Sequence, residues 1–461
     1  MLDLALTAQV LIWLLVAAVF LASRQASVYH PLTIYLALHG IVFVLRPLLV
    51  HYLDFDAMWK YMTFEPSEQD FIRALEVSSF GLVVFALATL AFGWCRTEFA
   101  KPVPSVSSRD HVAGLVVVTV LLAPIIAYSL HASLSGGVRG EHIGGTYVMT
   151  GSSGYTAEAQ YMAGPLICAW LAVKRFKWQA LLLTFPYVLY RSYAGWSRWT
   201  FLLFFLAMTL IYAWQKRIKW PPTWAVFAAV PLLLLFHALG QNREYVQQLL
   251  RGEEYRRPVS NPGARILEKW RSKYDGPDFA NFDFLTFVTA VVPERTGTFT
   301  RGAQYLQLFT EPIPRKLWSE KPAGAPVTFF NLNNYGNFLG MTVSLAGDGW
   351  ISGGWIGVAI TMGIVGAMVG SLHRWFWRRT ENNMVALFYL VGLAVLPQWL
   401  RDGGISIAKF VFWNLSPLLL WMAVTWFIRG CRIPAYCVTL PSGGRFRVMR
   451  PASTPPQANH N

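Results

Sequence analysis

Residues 112–133 read VAGLVVVTVLLAPIIAYSLHAS, a run from Val112 to Ser133 that holds no Asp, Glu, Lys or Arg. A helix rising about 1.5 Å per residue needs roughly 20 such residues to cross the ~30 Å hydrocarbon core of a bilayer. The run is continuously apolar rather than alternating, which predicts a membrane helix and not a strand of a barrel. Working outward, comparable runs lie at 5–23, 31–50, 71–94, 157–173, 179–190, 199–215, 222–240, 350–372, 384–400 and 405–428. Together they predict an all-α polytopic membrane protein with about eleven transmembrane helices and a large outward loop between helices 8 and 9.

The composition of the 461 residues agrees, with 54% apolar and 14% charged residues and a mean hydropathy of +0.39. Soluble globular chains carry about 25% charged residues. A soluble multi-domain enzyme, a disordered chain, a disulfide scaffold and a coiled coil are thereby excluded. Cys95, Cys168, Cys431 and Cys437 are too scattered for a disulfide framework or a zinc site, and read as inert thiols.

Alternate connections are basic: Arg96, Lys101 and Arg109; Lys174, Arg175 and Lys177; Lys216, Arg217 and Lys219; Arg374, Arg378 and Arg379. The positive-inside rule places these in the cytoplasm, with the N-terminus outside and the C-terminus inside. The chain then divides into transmembrane helices 1–8 (1–240), an outward cap loop (241–349), helices 9–11 (350–428) and a basic cytoplasmic tail (429–461). The tail, with Arg432, Arg445, Arg447 and Arg450, is expected to be disordered and drawn to anionic lipid headgroups. Sorting the basic residues by side leaves 18 of the 39 facing outward, which topology does not require.

Thirteen of those lie in the 241–349 loop, among them Arg243, Arg295, Arg301, Arg315 and Lys321. Its aromatic residues, including Trp270, Trp318, Tyr305 and Tyr335, suggest a folded cap rather than a disordered connection. Arg46 within a helix, Arg191 and Arg198 at a helix junction and Arg401 at a helix end lie on the same side. Burying a cation in a membrane costs about 2.5–3.5 kcal/mol on insertion scales, so these residues are functional candidates. Guanidinium groups suit bidentate phosphate recognition, which makes a lipid headgroup or diphosphate the natural partner. The plainer readings are that Arg46 snorkels to the interface, that Arg198 anchors between Trp196 and Trp199, and that Arg73 pairs locally with Glu68 or Asp70. Asp54 and Asp56 form a D-x-D triplet that reads as a solvated acidic loop, and Gly349, Gly353, Gly357, Gly366 and Gly370 read as helix-packing positions. No Walker, zinc-protease or nucleophile-elbow motif is present.

The string Pro312-Ile313-Pro314-Arg315-Lys316-Leu317-Trp318-Ser319-Glu320-Lys321-Pro322 resembles the Wzy-type oligosaccharide repeat-unit polymerases, the O-antigen and exopolysaccharide polymerases of bacteria. Arg46-Pro47, Ser197-Arg198, Pro293-Glu294 and Gly347-Asp348 followed by Gly354 and Gly357 stand in the order the family shows, over about residues 40–360. Asp348 departs from the family, where Glu is common, and its reach is one methylene shorter.

The resemblance implies an enzyme of the bacterial inner membrane that takes a glycan from undecaprenyl diphosphate to the non-reducing end of another lipid-linked repeat unit, with inversion. A flippase and a chain-length regulator would be its partners, with no nucleic acid involved. Arg198, Arg243, Arg295 and Arg315 would bind the diphosphate, joined by Arg46, Arg301, Lys321 and Arg401. Asp348, then Glu294, then His237 would be the base that takes the sugar hydroxyl's proton. With arginines neutralising the leaving group, no metal and no other cofactor is required. An O-antigen ligase, another polyprenyl-phosphate-sugar-dependent glycosyltransferase of the GT-C type, and an anionic-substrate transporter are the alternatives, although transport usually comes with paired halves that this sequence lacks.

Overall fold

The structure, a computed structural model, describes residues 1–95, 109–134, 140–143, 146–149, 158–194, 198–222, 275–276, 279–310, 313, 317–318, 330, 332–337, 342–404, 407–430, 435–439 and 445–449. Its principal helices are α1 (Leu2–Ala22), α2 (Pro31–Leu53), α3 (Glu68–Gly93), α4 (Arg109–Leu134), α5 (Ala163–Val173), α6 (Thr184–Ala194), α7 (Arg198–Gln215), α8 (Asn281–Val291), α9 (Ser344–Arg378), α10 (Asn383–Asp402) and α11 (Ile407–Gly430). Seven of them, α1 to α4 and α9 to α11, are long and apolar enough to cross a membrane. The protein is thus an α-helical polytopic membrane protein.

Several expectations shift against this frame. The runs at 157–173, 179–190 and 199–215 form helices too short to be counted with those seven, and 222–240 lies outside the described residues. Within the expected cap loop, every residue of α8 is buried, and the helix packs against α3 and α9. The expected loop end at 349 is also displaced. α9 begins at Ser344, so Gly347, Asp348 and Gly349 are helical, and the backbone breaks only at Gly353 and Gly354. Two short antiparallel hairpins stand outside the helical pattern, 140–143 with 146–149 and, in the tail expected to be disordered, 435–439 with 445–449.

Local chemistry fixes the helix starts. The His30 side chain accepts from the Leu32 N–H at the head of α2, where Pro31 occupies a position whose N–H would have no helical partner. Ser67 and Asp70 close a reciprocal capping box at α3, and the Asn382 side chain caps α10. Seen from the sequence, then, Asp70 is spent on a cap.

The central pair is α3 and α9, which run parallel, with Phe85 and Thr89 against Gly366 and Gly370. A Cβ at Gly366 would lie 2.9 Å from the Phe85 carbonyl oxygen, and one at Gly370 would lie 2.7 Å from that of Thr89. Only glycine permits this approach, the usual device for tight helix contacts where lipid supplies no hydrophobic drive. α2 is held differently. Within its π turn, Gly40–Leu45, the Phe43 carbonyl accepts from Gln9 of α1 at 3.0 Å, and Gln9 also donates to Ser78 of α3 at 3.1 Å. Arg46 follows that turn directly, so this polar staple fixes where its guanidinium points.

Candidate functional site

Two buried polar clusters lie at the end of the bundle where α2 finishes and α9 begins. In the first, Arg46 is 1% exposed. Its Nε donates to Asp283 Oδ2 at 2.8 Å, and its Nη2 donates to Asp283 Oδ1 at 3.0 Å, Asp275 Oδ1 at 2.7 Å and the Phe55 carbonyl at 3.2 Å. Asp275 Oδ2 accepts the Ala57 N–H at 2.9 Å. All four carboxylate oxygens are therefore engaged, and one guanidinium ties α2, α8 and the 55–57 turn together. Arg46 was expected to snorkel or to bind a diphosphate; two carboxylates and a carbonyl engage its Nε and Nη2, while its buried Nη1 has no partner among the described residues.

The second cluster is built around Asp348, 2% exposed. Its Oδ2 accepts the Gly404 N–H at 2.8 Å and the Tyr305 hydroxyl at 3.1 Å, and its Oδ1 faces Gln304 Nε2 at 3.4 Å. Three segments remote in sequence meet here. The 300–305 loop is pinned to α9 by the Thr300 and Arg301 N–H groups, each donating at 3.0 Å to the carbonyls of Ile351 and Ser352. Gln304 bridges Asp348 and Ser352. At the end of α10 the chain turns at Gly403 with φ +87°, which brings the Gly404 N–H onto the carboxylate. Burial pushes the Tyr305 phenol well above its ordinary value, and the neighbouring Asp348 charge adds to this, so its hydroxyl stays a donor.

Arg301 and Arg401 belong to the chain segments that supply the donors to Asp348. Arg301 is exposed, with a left-handed backbone (φ +53°) that turns the loop. Arg401 is 9% exposed and donates from Nη1 to Asp402 at 3.1 Å, while its carbonyl accepts from Asn281 of α8. Arg295 is exposed on the same loop, and its carbonyl accepts the Tyr335 hydroxyl at 3.1 Å. No protein-family model matches the chain, and neither does any curated protein or solved structure.

The remaining expected residues divide. Glu294 is exposed and pairs with Arg73 at 2.5 Å, so the carboxylate expected as the second choice of base is occupied by a cation. Arg73 correspondingly forms no local pair with Glu68 or Asp70 but reaches 221 positions along the chain. Asp56 of the D-x-D triplet pairs with Lys60 at 2.7 Å. Arg198 opens α7, but its side chain, together with His237, Arg243, Arg315 and Lys321, lies outside the described residues.

The sequence reading missed Asp275, Asp283, Gln304 and Tyr305. Asp283 carried a signal, being a lone acid among Phe282, Phe284, Leu285 and Phe287, in the setting where a buried arginine elsewhere calls for a partner. Gln304 and Tyr305 carried none, since both are ordinary polar loop residues until the fold sets them on Asp348.

Proposed function

We propose that the chain is a Wzy-type polysaccharide polymerase, transferring a glycan from undecaprenyl diphosphate to another lipid-linked repeat unit at the outer face of the bacterial inner membrane. In this reading the membrane is crossed eleven times, with the N-terminus periplasmic and the C-terminus cytoplasmic. One observation carries the proposal: among the described residues, Asp348 is held by three neutral donors and by no cation. It can therefore accept a proton without losing an ion pair, unlike Glu294 or Asp283.

The chemistry follows from these roles. The acceptor sugar hydroxyl attacks the anomeric carbon as its bond to the diphosphate oxygen breaks, and Asp348 receives the hydroxyl proton. The bonding electrons leave with the diphosphate, whose developing charge Arg295, Arg301 and Arg401 would stabilise together with Arg198, Arg243, Arg315 and Lys321. A single displacement inverts the anomeric centre. Arg46 and Glu294 drop out of this set, the first as the partner of Asp283 and the second as the partner of Arg73.

A deletion strain tests the reaction class. Loss of long polysaccharide with single lipid-linked repeat units remaining is the expected result, and chains of normal length would overturn it. Accumulation of free, uncoupled polymer would point to a ligase, and accumulation of chemically unchanged substrate on one side of the membrane to a transporter.

A further inference from the structure

We infer that residues 303–310, together with Leu317, form a membrane-interfacial surface that seats Leu306, Phe309 and Leu317 in the edge of an anionic lipid leaflet, beside the Asp348 cluster. These three large apolar side chains are 65%, 79% and 81% exposed. So many in one short loop segment mark an interaction surface rather than a solvated cap.

The fold places this surface at the bilayer boundary. Phe299, just upstream, packs onto Gly354, where a Cβ would lie 3.2 Å from its ring, so the loop wraps α9 at its backbone break. One residue further on, α9 begins to present its own exposed apolar side chains, Trp355 and then Ile356. The exposed Leu306 and Phe309 thus follow a loop fastened to α9 at the point where its apolar exposed side chains begin. Trp318 and Trp355 are both partly exposed, in keeping with tryptophan's preference for the headgroup level. Charge complements this placement. Arg295 and Arg301 are exposed immediately before the segment, and Arg315 and Lys316 follow it in sequence, a pattern that attracts anionic headgroups. Thr300, Arg301, Gln304 and Tyr305 fasten the start of the segment to α9.

This assignment is independent of the glycosyl-transfer reading, and its test requires no activity. Leu306→Cys, Phe309→Cys and, as an exposed control on the same loop, Thr298→Cys would be made in full-length protein with Cys95, Cys168, Cys431 and Cys437 replaced. Each would be labelled with an environment-sensitive fluorophore in vesicles of phosphatidylcholine containing phosphatidylglycerol. Lipids carrying a shallow nitroxide are expected to quench labels at 306 and 309 several-fold more than at 298, with aqueous iodide giving the reverse order. The lipid quenching should weaken when phosphatidylglycerol is omitted. Iodide quenching at 306 and 309 equal to that at 298 would overturn the inference. So would shielding from both quenchers, which would mean that protein covers the segment, and so would indifference to the anionic lipid.

Discussion

Asp283 and Asp348 are both acids buried at the same end of the helical bundle, yet they are satisfied in opposite ways. Asp283 faces a guanidinium that also binds Asp275, so charge meets charge and every carboxylate oxygen is taken. Asp348 is met by a backbone N–H, a phenol and an amide, none of them charged. The difference separates scaffold from chemistry. An ion cluster whose carboxylate oxygens are all engaged holds elements in place, whereas a carboxylate on neutral donors keeps a proton-accepting role open while its position is still fixed.

The largest effect expected from this contrast is on stability. Arg46→Ala strands Asp275 and Asp283 in the interior, and breaking a buried pair in this way costs about 3–5 kcal/mol. Thermal unfolding in nanodiscs should register it as a large drop in melting temperature, with Arg46→Met, Asp275→Leu and Asp283→Leu together recovering much of the loss. An unmoved melting temperature with abolished substrate binding would instead return Arg46 to the site. Next in size, Arg301→Ala should lower turnover about 10²-fold, the effect of removing one group that stabilises a leaving charge, while leaving unfolding unchanged. Full activity in both Arg301→Ala and Arg295→Ala would break the link between this loop and the diphosphate.

Tyr305→Phe deletes one hydrogen bond to Asp348 and should cost about 1 kcal/mol. Because burial raises the Tyr305 phenol in the folded state above its ordinary 10.0, the stability it contributes is whole below pH 10 and lost as pH rises further. The gap in melting temperature between wild type and variant should therefore narrow above that pH. The smallest effect falls on Glu294→Gln. Its pair with Arg73 is half in solvent, so stability should change by no more than about 1 kcal/mol, and turnover should hold within about twofold. A large fall in turnover would move the base from Asp348 to Glu294.

What the sequence discloses follows from the range of the forces involved. The crossing near 112–133 is legible because an uncharged apolar run needs no partner to declare itself, and α4 spans Arg109–Leu134. The start of α9 is not legible, because Gly347 and Gly349 flanking a charge read locally as a helix break. The helix forms there because Gln304, Tyr305 and Gly404 satisfy that charge from 44, 43 and 56 positions away. The same holds for Arg46, which is visible as an oddity in its helix, while its partners stand 229 and 237 positions along the chain. Asp348 was singled out from sequence, but the three donors that hold it became visible only in the fold.

The most direct measurement is the turnover of purified Asp348→Asn on undecaprenyl-diphosphate-linked repeat units, with its melting temperature recorded on the same preparation. Asparagine keeps the size of the side chain but cannot take the proton. Turnover reduced by about 10²–10⁴-fold at a nearly unchanged melting temperature is the predicted result. Turnover near that of the wild type in a fully folded variant would contradict the account.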